Sequence, residues 1–158
     1  MNSMTPRFRN AITADVDVIT DLNCRLAEET ENRSLNRDTV RNGVRRGLTI
    51  GDEVRYFLAE DGSGVIGQLM LTREWSDWRD GWMIWLQSVF VIPEKRGCGV
   101  FRALLTHAIA DVASCTEAVN VRLYVDHENE AAKASYRRIG FQSAGYEVME
   151  MPLDRKTE

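Results

Sequence analysis

Apolar positions recur along the chain with two different periods. Val18, Ile19, Leu22 and Leu26 fall three and four apart, which predicts a helix over residues 14–29 capped by Thr13. Residues 6–12 read as a short opening strand and 28–33 as a polar break. Asn36 caps a second helix that runs to about Arg46 and is ended by Gly47. From residue 55 the pattern becomes that of strands. Residues 55–60 and 65–73 flank the turn Asp61-Gly62-Ser63-Gly64. After a polar-aromatic connection at 75–81 comes a nearly continuous apolar run, 82–92, as in a central strand covered on both faces and stopped by Pro93. Helical spacing returns over 99–113, where Val100, Phe101, Leu104, Leu105, Ala108, Ile109 and Val112 share a face and His107 reads as a surface residue. A strand at 118–125, a helix at 129–139 and a last strand at 141–152 complete the order β-α-α-β-β-β-α-β-α-β. Such strand-helix-strand units predict an α/β fold with a partly parallel sheet and covering helices.

Composition narrows the class. A length of 158 residues fits one domain over 1–158, and 44% hydrophobic content supplies a core without a metal or disulfide staple. The net charge of −4 argues against a nucleic-acid binder and suits a cationic substrate. Three cysteines, Cys24, Cys98 and Cys115, are odd in number and widely spaced, so no disulfide framework is expected. No Cys/His pair has zinc-ligand spacing, and no metal is expected. No apolar run reaches the roughly 18 residues that span a bilayer, and Met1 to Arg9 lacks the apolar core of a secretory signal. A cytoplasmic protein with no membrane partner is the expectation.

The segment richest in chemistry is Val91-Ile92-Pro93-Glu94-Lys95-Arg96-Gly97-Cys98-Gly99-Val100-Phe101. A buried strand ends at a proline, a loop with two glycines follows, and a helix begins at once. Glycines admit positive φ and let a ligand approach the backbone. The first helical turn offers unpaired N–H groups and a positive dipole end, so the segment can cradle a pyrophosphate with Arg96 as an added cation. The same glycines also suit a plain tight turn. The pattern is neither a Walker A loop nor a dinucleotide fingerprint, whose third glycine would fall at Arg102.

A second segment runs from Asn129 through Ala132 and Tyr136 to Gly140-Phe141. Together the two segments resemble the GNAT superfamily of N-acetyltransferases. Val91, Pro93, Arg96, Gly97, Gly99 and Val100 match its strand–loop–helix motif, and Asn129, Ala132, Tyr136, Gly140 and Phe141 match its later helix motif. One departure is Phe101, which stands at the last small position of the loop pattern read from Arg96. The resemblance implies a GNAT-like mixed, partly parallel central sheet with helices on both faces. It also implies an enzyme that moves an acetyl group from acetyl-coenzyme A to a primary amine in a ternary complex.

Residue roles follow from that resemblance. Backbone amides of Arg96, Gly97, Cys98, Gly99, Val100 and Phe101 would hold the pyrophosphate. Val89, Phe90 and Val91 would pair with the pantetheine arm, one amide polarising the acyl carbonyl. Asn129 would bond the pantetheine region, cap its helix, or both. Tyr136, seven residues on and on the same face, would protonate the departing thiolate or else serve as an ordinary core tyrosine. Where many relatives carry an acidic base, this chain has Gln87, which can orient water but cannot take up a proton. Glu28, Glu29, Asp126 and His127 are alternative bases or plain solvated groups. Cys98 lies beside Arg96 at a helix start, where its thiol pKa would fall, or it simply fills a variable position. Trp75, Trp78, Trp82 and Trp85 pack, line an acceptor pocket or meet a second subunit, and a homodimer is expected. The acceptor, a small-molecule or peptide amine, and the acyl length are open. A non-catalytic coenzyme A sensor or interaction module of the same fold is the competing reading, favoured by Gln87.

Overall fold

Five strands form among the described residues because apolar side chains alternate between two covered faces. The computed structural model describes residues 5–153; residues 1–4, where the leader reading begins, and 154–158 lie outside them. Strands β1 (Arg7–Asn10), β2 (Val54–Asp61), β3 (Gly64–Ser76), β4 (Gly81–Val91) and β5 (Ala118–Leu123) lie side by side in that order. The first four are antiparallel neighbours, while β4 and β5 run parallel. A parallel pair needs a crossover, and helix α3 (Val100–Ala113) supplies it. Helices α1 (Val16–Glu31) and α2 (Arg37–Ile50) join β1 to β2, and α4 (Glu130–Arg138) follows β5. The described chain forms two compact units that divide between Tyr124 and Val125.

In the first unit, helices cover both sheet faces. Ile19 and Val44 of α1 and α2 bury against Tyr56 and Leu58 of β2, with Met70 beside them. Tyr56 pairs with Met70, so those side chains share one face. The opposite face takes α3: Val112 lies with Leu71 and Ile84, and Val100 stands beside Gly67. Cover on both sides explains why β2 is buried from Tyr56 through Ala59 without alternation.

Four expectations are corrected. Thr13 does not cap α1: residues Thr13–Asp15 form a 3-10 turn, Asp15 holds the N-cap position of α1 without a side-chain capping bond, and its carboxylate accepts the Ile12 amide at 2.8 Å across that turn. Gly47 does not end α2, which continues to Ile50. A Cβ there would stand 3.0 Å from the Tyr56 hydroxyl, so Gly47 is required by close packing. His107 is not a surface residue. It is half-buried between Phe8 and Phe57, with ring centroids 6.2 and 6.1 Å away. Residues 141–152 form no strand: Gly145 takes a φ of 74°, which breaks the extended backbone, and Tyr146, Val148 and Met149 are exposed.

Candidate active site

The apolar run that predicts β4 conceals an irregularity. Met70 pairs with Gln87 and Gln68 with Phe90, so Ser88 and Val89 together oppose Leu69. This is a β-bulge, and Ser88 sits in the left-handed region at φ 51°. Gln68 is fully buried behind it. Its Nε2 donates to the Ser88 carbonyl at 3.2 Å and to Asn23 Oδ1 of α1 at 2.7 Å. The pairing of β4 with β5 ends at Leu86 and Leu123. Beyond it, among the described residues, Val89, Phe90 and Val91 have a strand neighbour on the β3 side alone. A one-sided strand edge of this kind accepts an extended ligand as an added strand.

That edge runs directly into the glycine loop. A 3-10 turn, Pro93–Lys95, leads to Gly97 and Gly99 at φ 73° and 80°. An added Cβ at either would meet open space, so the backbone angle, not crowding, requires glycine. The ladder of α3 begins where the Ala103 amide donates to the Gly99 carbonyl at 3.1 Å. The amides before it lie outside that ladder, at the positive end of the helix dipole. Val100 is buried, Phe101 is half-buried and Cys98 is exposed.

Arg96 is engaged on three sides. Its Nε donates to the Val91 carbonyl at 2.8 Å, its Nη2 pairs with Glu29 at 2.6 Å, and its guanidinium stacks 5.3 Å from the Phe90 ring. It therefore straps the loop to the strand end and to α1, its charge shared with Glu29. Arg25 lies 5.1 Å from the same ring. Lys95 pairs with Asp61 at 2.5 Å, tying the loop to the β2–β3 turn. Hydrogen bonds from Lys95 and Ser63 hold the Asp61 carboxyl at a pKa of about 2.

Gln87 is half-buried beside the bulge, its Nε2 donating to Thr72 Oγ1 at 2.7 Å. On the same face, Trp85 Nε1 donates to Glu74 Oε2 at 2.9 Å, and the Trp85 ring stacks on Tyr124 at 4.5 Å. Trp75 packs edge-on against Trp82 at 5.1 Å, while Trp78 is 89% exposed at the β3–β4 turn. Of the alternative bases, Glu29 is tied to Arg96, and Glu28, Asp126 and His127 are exposed. Among the described residues no group of three or more His, Cys, Asp or Glu side chains could hold a metal.

The remaining motif lies in the second unit. Asn129 Oδ1 accepts the Ala132 amide at 3.0 Å, so its capping role is realised. Tyr136 is half-buried, packed edge-on to Phe141 at 5.7 Å, and burial pushes its phenol pKa up. The Phe141 amide donates to the Tyr136 carbonyl at 3.1 Å while Gly140 takes a φ of 106°. That left-handed helix end is why glycine follows α4.

Sequence reasoning missed Gln68, Asn23, Ser88 and Glu74. Gln68 left a signal: it is the one polar residue between Val65 and Leu71. Ser88 left none.

Residues 17–141 match the Acetyltransferase (GNAT) family. The chain is 34% identical to "a possible acetyltransferase from Clostridium difficile 630", with a TM-score of 0.85 over 95% of this chain and 99% of that one. A "predicted acetyltransferase with acetyl-CoA from Clostridium acetobutylicum" shares the fold, with a TM-score of 0.77 at 15% identity over 94% of this chain and 96% of that one. Over 60 residues the chain is 35% identical to the peptidyl-lysine N-acetyltransferase YjaB of Escherichia coli (strain K12); the match spans 38% of this chain and 37% of that protein.

Proposed function

The chain belongs to the acetyltransferase (GNAT) family, and from that premise we propose that it transfers an acetyl group from acetyl-coenzyme A to a primary amine. The observation that carries this reading is the continuous path from the Ser88 bulge along one-sided β4 to the loop at the start of α3. The loop and first-turn amides of residues 97–101 suit a pyrophosphate, while the Arg96 amide is already given to the Pro93 carbonyl at 3.2 Å. The open edge at Val89, Phe90 and Val91 suits the pantetheine amides. An amide just past the bulge suits the thioester oxygen, where negative charge grows as the amine adds.

The amine nitrogen attacks the thioester carbon, the carbon–sulfur bond breaks, and the sulfur leaves as thiolate. The proton for that thiolate is assigned to Tyr136 on the family motif; a phenol carries its proton at neutral pH, and burial raises this one's pKa further. Gln87 and Thr72 orient a water that carries the ammonium proton away. Glu74, Trp85 and Tyr124 on the same face suit a cationic acceptor, through carboxylate pairing and aromatic stacking. The peptidyl-lysine activity of the E. coli relative supports a lysine side chain as one such acceptor. A coenzyme A sensor is the second reading, favoured by Gln87 in place of an acid.

Calorimetry tests the binding step. Acetyl-coenzyme A should release heat and raise the melting temperature, and a chelator should change neither. No heat and no thermal shift at millimolar ligand would remove the reading.

A further inference from the structure

Gln68 is a costly polar residue for this fold. It is fully buried, and its Oε1 has no hydrogen-bond partner. An unmet acceptor in an apolar setting opposes folding, and an apolar side chain of the same size would avoid that. What Gln68 does hold is the bulge, by donating to the Ser88 carbonyl, while Asn23 holds Gln68 from α1.

The consequence follows from the planar peptide unit. The Ser88 carbonyl and the Val89 N–H belong to the same trans peptide and point in opposite directions. A hydrogen bond that draws the carbonyl oxygen toward Gln68 therefore aims the Val89 N–H away from it. Ser88 sits at φ 51°, a conformation that persists only when its surroundings impose it. Without the Gln68 donor, that peptide is free to rotate.

We propose that Gln68 is a positioning residue for acyl transfer: with Asn23 behind it, it fixes the Ser88–Val89 peptide so that the Val89 N–H meets the thioester oxygen. The assignment rests on the acyl-transfer reading above and adds to it a residue that touches neither substrate. It separates two functions along β4. Pyrophosphate and pantetheine are held by the loop and strand edge, whereas carbonyl polarisation depends on Gln68.

The test compares the parent with Gln68→Met, which keeps the volume but removes the donor, and with Asn23→Ala, a milder change at a half-buried helix position. Three quantities are read: coenzyme A affinity, the infrared carbonyl stretch of bound carbon-13 acetyl-coenzyme A, and the single-turnover rate. The parent stretch should move to lower frequency on binding. In Gln68→Met, coenzyme A affinity should stay within about twofold, the stretch should return toward its solution value, and the rate should fall roughly 10- to 100-fold, below the loss from deleting an oxyanion donor outright. Asn23→Ala should move the same readouts in the same direction by less. A shifted stretch kept in Gln68→Met, or in Asn23→Ala if the first variant does not fold, overturns the positioning role and leaves acyl transfer standing. A parent that shows no carbonyl shift on binding overturns the acyl-transfer reading itself, and the role of Gln68 with it.

Discussion

Arg9 stands between two carboxylates, bonding Asp15 at 2.8 and 2.9 Å and Glu60 at 2.8 Å. Asp15 also accepts the Ile12 amide, so one side chain closes the 3-10 turn before α1 and ties it to β1. The Arg9 hydrogen bonds, with that amide bond, hold the Asp15 carboxyl below its ordinary pKa. A pKa depressed by folding stabilises the fold above the unfolded value of about 3.9, and that contribution is lost as pH falls below it. Asp15→Asn should therefore cost about 1.5–3 kcal/mol at pH 7, the usual worth of bonds to a charged group. Urea denaturation should show the gap to the parent closing toward pH 3; a gap that does not change with pH would contradict the assignment. Tyr136→Phe, at the proposed general acid, loses a single hydroxyl. It should bind acetyl-coenzyme A as the parent does and slow the chemical step roughly 10²- to 10⁴-fold. Single-turnover rates beside a binding isotherm check this, and equal losses in both would make Tyr136 a structural residue.

Elements were legible wherever a period was long enough to read. The stripe of α1, the packed face of α3 and the hairpin turn at 61–64 appear in the sequence as they do in the structure. What the pattern did not carry was tertiary. A bulge adds one residue to a run whose apolar positions do not alternate, so Ser88 leaves no periodic trace. Arg96 reads as a cation for phosphate, yet its partner Glu29 lies 67 positions away. Gly47 reads as a stop signal because its neighbour Tyr56 belongs to another element. Two glycines of α2 turn that last point into a test. Gly43 is exposed with nothing within 4 Å of an added Cβ, so Gly43→Ala should stabilise by up to about 1 kcal/mol through helix propensity. Gly47→Val should destabilise by about 1–3 kcal/mol, because its side chain must displace the Tyr56 ring. Thermal melts of the two variants should move in opposite directions; melts moving together would contradict the packing.

For the molecule as a whole, the two family motifs were readable because glycine at positive φ and a helix start leave short, spaced signatures. The acceptor side was not. The face proposed for it consists of strand positions, Thr72, Glu74, Trp85 and Gln87, that the register brings together across 16 residues of sequence. The net charge of −4 and the Glu74 carboxylate both suit a cationic amine. The central claim is turnover, and one measurement reaches it directly: free coenzyme A thiol and acetylated amine are followed together across a library of polyamines, amino acids and lysine peptides. The account predicts at least one amine that yields acetylated product and coenzyme A in equal amounts. Acetyl-coenzyme A bound firmly but returned intact with every amine would contradict it and make the protein a sensor.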